Sequence, residues 1–377
     1  MKIAPDWLSN QNAQRVCAML TDAGHQAWFV GGCVRNALIG ATASDLDLTT
    51  DARPDTVTKL GKTAGFKVIP TGIDHGTVTV VVDGNPFEIT TFRRDVDTDG
   101  RHATVAFADT ADEDARRRDF TMNALYAAPD GTLHDPLGGI ADALAGHVRF
   151  IGDAGLRIQE DYLRILRFFR FFAWYGDPAM GIDADGLAAC AGNLDGIDGL
   201  SAERIGQEMR KLLSAPNPAP AVASMAASGA LLRVLPGAGP NALTVLIHLE
   251  EIARIEPDFN RRLAALGGDP TRLRLTNAEA QRHEILRDMD IGAGEAGYRF
   301  GAQIAIDRAL VLAASLSQPL RDADVVAARH GAGQILPVKA ADFMPGLKGP
   351  ALGAALKQAE ARWIASGFTL TRNDLLA

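Results

Sequence analysis

Two aspartates one residue apart, Asp45 and Asp47 in the run Asp45-Leu46-Asp47-Leu48, are the residues of this chain best placed by type and spacing to do chemistry. In a β-strand residues two apart share a face, so both carboxylates would point one way while Leu46 and Leu48 pack the other way. Paired carboxylates repel unless a cation lies between them, and hard oxygen ligands with open positions suit Mg2+. Glu88, on a strand read over residues 87 to 92, adds a third oxygen donor if that strand pairs beside the first. Alone, a DxD at a solvated strand end is a common surface feature, so its surroundings decide its meaning.

Those surroundings include a glycine turn. The apolar run Trp28, Phe29, Val30 meets Gly31 and Gly32, and a short helical pattern follows with Arg35 in its first turn. Glycines there let backbone N–H groups approach an anion, the helix N-terminus favours negative charge, and Arg35 adds a fork-shaped cation able to bind phosphate. Tight turns also use glycine for geometry alone. A phosphate cradle shortly before a carboxylate pair is a metal-and-phosphate constellation in outline.

The elements that must hold these groups are legible from pattern. Residues 11 to 24 carry Val16, Met19, Leu20 and Ala23 at helical spacing, residues 27 to 30 read as a strand, and residues 34 to 39 read as a helix closed by Gly40. Residues 55 to 64 look helical after Arg53-Pro54, and alternating β-branched residues around Asp83-Gly84-Asn85 predict a hairpin. Residues 93 to 114 are polar and poor in periodicity, which predicts a loop, and a helix is expected to start in RRRDFTMNALYAA. Beyond about Gly155 the chain reads as helix upon helix. One helix is expected over Gly155–Trp174, another over Ser201–Ser214 with Ser201 as N-cap and Arg204 and Glu208 as an i,i+4 pair, and others over 221–235, 241–256, 298–315 and 350–365. Thr276 and Glu279 resemble a capping box.

The 377 residues carry a net charge of −8, which argues against holding nucleic acid by bulk charge and leaves room for a local basic face. Nothing reaches the roughly 18 consecutive apolar residues that a transmembrane helix needs, so no membrane partner is expected. The opening residues have no apolar core after a basic start, which suggests a cytoplasmic protein. The 3 cysteines, Cys17, Cys33 and Cys190, are far apart and read as small buried hydrophobes, with no disulfide partner expected. The oligomeric state is not legible.

At this point the residues match a family. GGCVRNALIG with DLDLTT resembles motif A of the class II tRNA nucleotidyltransferase and bacterial poly(A) polymerase family, a branch of the polymerase-β-like nucleotidyltransferases. RRDFTMN (Arg117 to Asn123) is similar to motif B, DPLGGIADAL (Asp135 to Leu144) to motif C, EDYLRILRFFRF (Glu160 to Phe171) to motif D and ERIGQEMRKLL (Glu203 to Leu213) to motif E. The motifs follow in the family's order over residues 28 to 213.

The resemblance implies an α+β protein: a small mixed-sheet nucleotidyltransferase head (1–150), then an all-helical neck that recognises the base (151–215) and a helical body and tail that bind tRNA (216–377). It implies two Mg2+ held by Asp45 and Asp47 with support from Glu88, ribose contacts from Arg117, Asp119 and Asn123, and a hinge at Gly138 and Gly139. Arg117, Asp119 and Asn123 read equally as a charged helix start capped by Asp119.

Asp161 and Arg164 are i,i+3 and can share a helix face. An Asp accepts from an exocyclic amine and an Arg donates to a ring nitrogen or carbonyl. Cytosine and adenine carry an amine at that edge, so such a pair would take CTP and ATP and reject UTP and GTP. Without the resemblance an ordinary helix salt bridge would be the safer reading. Arg157, Arg164, Arg167 and Arg170 recur at helical spacing and could form a basic stripe toward triphosphate or RNA, while Glu203 and Arg204 resemble residues that brace the template helix.

The implied activity is addition of CMP, CMP and AMP to the 3′ end of tRNA, with the acceptor arm as partner. Poly(A) addition, partial CC-only or A-only addition, and a catalytically silent tRNA-binding protein are the alternatives. This chain departs from the family at Asn36, where an Asp is usual, and in the 93–110 segment lacks an expected aromatic residue between FRRD and DGR. Lys339, Lys348, Lys357 and Arg362 could meet phosphates or simply solubilise helices.

Overall fold

The apolar runs near the start of the chain become strands of a mixed sheet in the computed structural model, which describes every residue except 43–44, 74–75, 99–102 and 345. Helix α1 (Gln11–Thr21) starts at Asn10, whose side chain accepts from the amides of Asn12 and Ala13, and buries Ala13, Val16, Cys17 and Leu20. Strand β1 (Trp28–Val30) leads into α2 (Gly32–Leu38), then β2 (Asp47–Thr50) and α3 (Pro54–Thr63), with Pro54 in the first turn. Strands β3 (Lys67–Gly72), β4 (Thr77–Val82) and β5 (Asn85–Thr91) follow. The β4–β5 hairpin turns on Asp83 and Gly84, both at positive φ (48° and 83°), as the Asp-Gly dipeptide predicts.

Residues 93–98 and 103–107 are not a loop. Strands β6 (Arg93–Thr98) and β7 (Ala103–Phe107) pair antiparallel as a separate ribbon, and α4 (Ala111–Arg116) follows. A ribbon draws its order from backbone pairing, which needs no apolar periodicity. The expected helix in RRRDFTMNALYAA is also absent: residues Thr121–Asn123 make a 3-10 turn, and β8 (Tyr126–Ala127) with β9 (Leu133–His134) adds to the main sheet. Among the described residues that sheet has the order β3-β4-β5-β2-β1-β8-β9. β2 and β5 run parallel, and the other neighbours run antiparallel. Phe29, Leu48, Val78, Val80 and Ile89 are fully buried in it.

Next come α5 (Gly139–Ala145), α6 (Ala154–Glu160), α7 (Leu163–Tyr175), α8 (Ala184–Gly192), α9 (Ala202–Leu213), α10 (Ala219–Ala227) and α11 (Ala230–Val234). The single helix expected over 155–174 is two, broken at Asp161 and Tyr162, and the one over 221–235 is interrupted at Gly229. Phe120, Phe150, Phe168 and Phe171 form an aromatic cluster that fastens α7 to the chain beside the sheet. All of this lies in one compact unit, Met1–Pro236.

The second unit, Gly237–Ala377, is helical: α12 (Asn241–Ala253), α13 (Phe259–Leu266), α14 (Asn277–Arg287), α15 (Ala293–Phe300), α16 (Ala302–Ser315), α17 (Asp322–Ala332), α18 (Gly349–Ala365) and α19 (Arg372–Leu376). Gly301 at φ 86° splits the helix expected over 298–315. The Thr276–Glu279 capping box forms, with amide-to-side-chain distances of 2.8 and 3.2 Å. Apolar Leu246, Ala305 and Leu310 share this core with a buried ionic cluster in which Arg261 donates to Glu250 and Asp307. No described helix is long and apolar enough to cross a membrane. The three cysteines are free and buried, and burial pushes the thiols up, Cys17 to about 12 and Cys33 to about 11.

Candidate active site

β1 ends at Val30, Gly31 takes φ +73°, and α2 begins at once. That left-handed backbone requires glycine at this step. The Gly31 amide, however, donates to the Leu125 carbonyl at 3.0 Å, so it is spent on the sheet and is not offered to an anion. Gly32 opens α2 beside it.

β2 begins only at Asp47, so Asp45 lies just ahead of the strand and the shared-face argument does not reach it. The parallel register brings Glu88 opposite Asp47, as a third donor on the next strand would require. Burial, then Glu88 and Asp45, push the Asp47 carboxyl above its ordinary range, against the pull of Arg118. Among the described residues no three His, Cys, Asp or Glu side chains are gathered into a ready-made metal cluster. The donor set still fits a hard divalent cation that takes one or two carboxylates and completes its shell with water and substrate phosphates.

Beside these acids stands an arginine group held from behind by one buried carboxylate. Asp114 accepts from Arg117 Nε at 2.9 Å, Arg118 Nη2 at 2.9 Å and the Tyr126 hydroxyl at 2.9 Å. Burial opposes its ionisation, but the two guanidiniums win and hold its carboxyl well below the usual range. Asp119 is 7% exposed and accepts from Arg167 Nε at 2.8 Å, from Asn123 Nδ2 at 2.9 Å and from the Phe120 amide. Burial raises it, yet Arg167 and these hydrogen bonds bring it down to about 2.

A cleft of about 290 Å³ brings together Arg117, Asp119, Asp161, Arg164 and Arg167, all expected from sequence, with Arg118 and Arg204. Asp161 is not on the helix that carries Arg164. It caps the end of α6 in extended backbone (φ −156°), and Arg164 lies in the first turn of α7. The two side chains also have other partners than each other. Asp161 accepts from Arg204 Nη2 at 2.7 Å and from the Leu163 amide at 3.1 Å. Arg164 donates to Glu160 and to the carbonyls of Arg157 (2.6 Å) and Arg117 (3.2 Å).

Two expected phosphate ligands are used internally instead. Arg35 is 5% exposed, donates to Asn123 and to Asn36 Oδ1 (2.9 and 3.2 Å), and lies 3.8 Å from the centre of the Tyr175 ring. Arg170 pairs with Glu208 and stacks 4.4 Å from the Phe171 ring. It does not line the cleft, so the basic stripe stops at Arg167. Arg204 meets Asp161, so the expected i,i+4 pair with Glu208 does not form.

Sequence reading missed Arg118, Asp114 and Glu160 as parts of the site. The signal was present in the spacing: Asp114 stands three and four residues before Arg117 and Arg118. A buried acid facing two arginines fixes where both point.

Residues 27–149 match the family model described as the poly A polymerase head domain, and residues 179–240 match one described as a probable RNA and SrmB-binding site of polymerase A. The chain thus carries one stretch similar to the poly A polymerase head domain and one similar to its RNA-binding region. Within this head lie Asp45, Asp47, Glu88 and the arginines that Asp114 anchors, while Arg204 and Glu208 lie in the second matched stretch. Asp161 through Arg170 fall between the two.

Mouse (Mus musculus) mitochondrial CCA tRNA nucleotidyltransferase 1 is 41% identical over 208 residues, 55% of this chain and 48% of that protein. The CCA-adding enzyme of Geobacillus thermodenitrificans is 38% identical over 229 residues, 60% and 55% of the two chains. This chain thus spans about half the length of the curated relatives it matches. The crystal structure of Bacillus stearothermophilus CCA-adding enzyme in complex with CTP superposes with a TM-score of 0.70 at 28% identity, covering 95% of this chain and 93% of that one. The α+β class expected from sequence is the fold observed, shared with that enzyme.

Proposed function

We propose that this protein adds CMP, CMP and AMP in turn to the 3′ end of tRNA, using CTP and ATP and releasing pyrophosphate. The observation that carries this reading is the cleft in which Asp161 and Arg164 meet Arg117 and Asp119, in a chain similar over about half their length to CCA-adding enzymes. Head residues 1–150 hold the chemistry, neck residues 151–215 read the base, and residues 216–377 hold the tRNA acceptor arm. A cytoplasmic location is part of the same proposal.

Base choice follows from donor and acceptor count. Each carboxylate oxygen offers about two lone pairs, so Asp161 keeps acceptor capacity beyond its bonds to Arg204 and Leu163. It accepts the exocyclic amine of cytosine or adenine. Arg164 keeps unspent guanidinium hydrogens for the ring nitrogen or carbonyl. Uracil and guanine would face Asp161 with a carbonyl and be repelled. Arg117 and Asp119 line the ribose side, with Arg167 holding Asp119 ionised and the expected ribose contact Asn123 buried behind them, bracing Asp119.

Asp45 and Asp47, with Glu88 in support, are the residues that would hold Mg2+. A metal held there would supply two-metal chemistry, lowering the pKa of the primer 3′-hydroxyl and neutralising the triphosphate. Gly32 and Arg118 border the triphosphate; Gly31, Arg35 and Arg170 serve by fixing their neighbours. The rest of catalysis is positioning and charge neutralisation.

The test is incubation of the protein with tRNA lacking its 3′ end and each nucleotide separately. Successive use of CTP and then ATP supports the proposal, CC-only or A-only products narrow it, and long ATP-only tails replace it by poly(A) addition. Changing Asp45 and Asp47 together to Ala should abolish incorporation. Retained activity in that variant removes the carboxylates from the mechanism, and tight tRNA binding without incorporation by the unaltered protein points to a silent binder.

A further inference from the structure

A second cleft, of about 260 Å³, opens beside the first between β6, α4 and α6 and shares only Arg117 with it. Its cations are Arg94, Arg116, Arg117 and Arg157, and its acids are Glu113 and Glu160. Both acids have partners on their Oε2 oxygens. Glu113 accepts from the Asp109 amide at 3.2 Å and the Thr110 hydroxyl at 3.3 Å at the start of α4. Glu160 accepts from Arg157 Nη1 at 2.7 Å and from Arg164.

The cations divide differently. Arg157 is fixed by Glu160 and by the carbonyls of Ile151 and Arg116. Arg117 spends its Nε on Asp114, and its terminal nitrogens make no hydrogen bond among the described residues. The Arg94 and Arg116 side chains make no hydrogen bond or ion pair among the described residues, although Arg94 lies within the field of Glu113. Three guanidiniums with unspent donors thus line a cleft in which four arginines face two carboxylates. Such a site matches the oxygens of a phosphate group, which guanidinium binds in a fork.

We propose that this cleft is a phosphate subsite separate from the nucleotide cleft, taking a backbone phosphate of the RNA primer. The choice of primer rests on the function proposed above. The same oxygens could come from the polyphosphate end of the incoming nucleotide or from pyrophosphate, and the experiment separates these sources.

In the full-length protein Arg94→Ala and Arg116→Ala are made singly, with Arg116→Lys as the charge-retaining control. Binding of a tRNA lacking its 3′ end is followed by fluorescence anisotropy across a salt series, with no nucleotide present. Each Ala variant should weaken binding about three- to tenfold and lower the slope of log K against log salt by about one. Arg116→Lys should keep most of both. The nucleotide KM at saturating RNA and inhibition by pyrophosphate should stay at wild-type values.

If instead the nucleotide KM and pyrophosphate inhibition weaken while RNA binding does not, the phosphate belongs to the nucleotide. If none of these quantities moves, the cleft is no phosphate site. Binding is read without catalysis, so a wild-type protein that binds RNA but incorporates no nucleotide defeats the proposed function and leaves this inference to its own result.

Discussion

At Arg35 a guanidinium is buried with neutral acceptors only. Asn36 serves it well because its amide works in both directions: Oδ1 accepts from Arg35 at 2.9 Å, and Nδ2 donates to the Thr42 carbonyl at 2.7 Å. An Asp at this position would set a second acceptor against Thr42. Burial lowers the Arg35 pKa from its ordinary value, with Tyr175 and Asp119 acting against that. Replacing Arg35 by Met should therefore cost stability, about 2–4 kcal/mol, because Asn36 and Asn123 lose a charged donor in a buried place. Thermal unfolding measures this, and the nucleotide KM measured alongside decides the role. A large rise in KM with an unchanged Tm would restore the phosphate contact expected from the Gly-Gly-helix pattern. Nothing local to that pattern could reveal the burial, since the covering ring belongs to Tyr175 at the far end of α7.

At the scale of elements the α6–α7 break sets the geometry of base reading. Leu163, Leu166, Phe169 and Phe172 all lie on α7, beyond the break, so the apolar spacing that predicted a single helix carried no information about a turn at Asp161. The turn is held by tertiary contacts: Arg204 from α9 grips Asp161, and Gly196 lies against Tyr162. A Cβ added at Gly196 would stand 1.9 Å from the Tyr162 ring, closer than any rotamer adjustment of a methyl can relieve. Gly196→Ala should thus displace Tyr162, cost about 1–3 kcal/mol in stability, and weaken discrimination between CTP and UTP because Asp161 is the adjoining residue. Unfolding by urea and the ratio of kcat/KM for the two nucleotides check this. An unchanged ratio would separate the turn from specificity. By contrast, the β4–β5 hairpin, the Asn10-led α1 and the Thr276 box were legible, because each depends on residues within a few positions. The β6–β7 ribbon was not, because a pairing made by backbone alone leaves little trace in side-chain pattern.

Across the whole molecule the two compact units carry buried charge in different ways, and one group in the second unit makes its stability depend on pH. His283 on α14 is 5% exposed, and both ring nitrogens are buried with no hydrogen-bond partner among the described residues. Burial, with Arg287 adding to it, lowers its pKa from 6.5 to about 4. Between these values the unfolded chain binds a proton that the folded unit refuses, so stability rises with pH across the window and falls as pH drops through it. Each pKa unit corresponds to about 1.4 kcal/mol, so the full loss between pH 6.5 and pH 4 is on the order of 3 kcal/mol. Hydrogen exchange of the α13 and α14 amides at pH 7, 6 and 5 should show protection falling stepwise in the unaltered protein. His283→Leu removes the titrating ring and its unsatisfied nitrogens, so protection should be higher at pH 5 than in the parent and vary less across the series. Equal pH dependence in both proteins would place the acid sensitivity elsewhere in the unit.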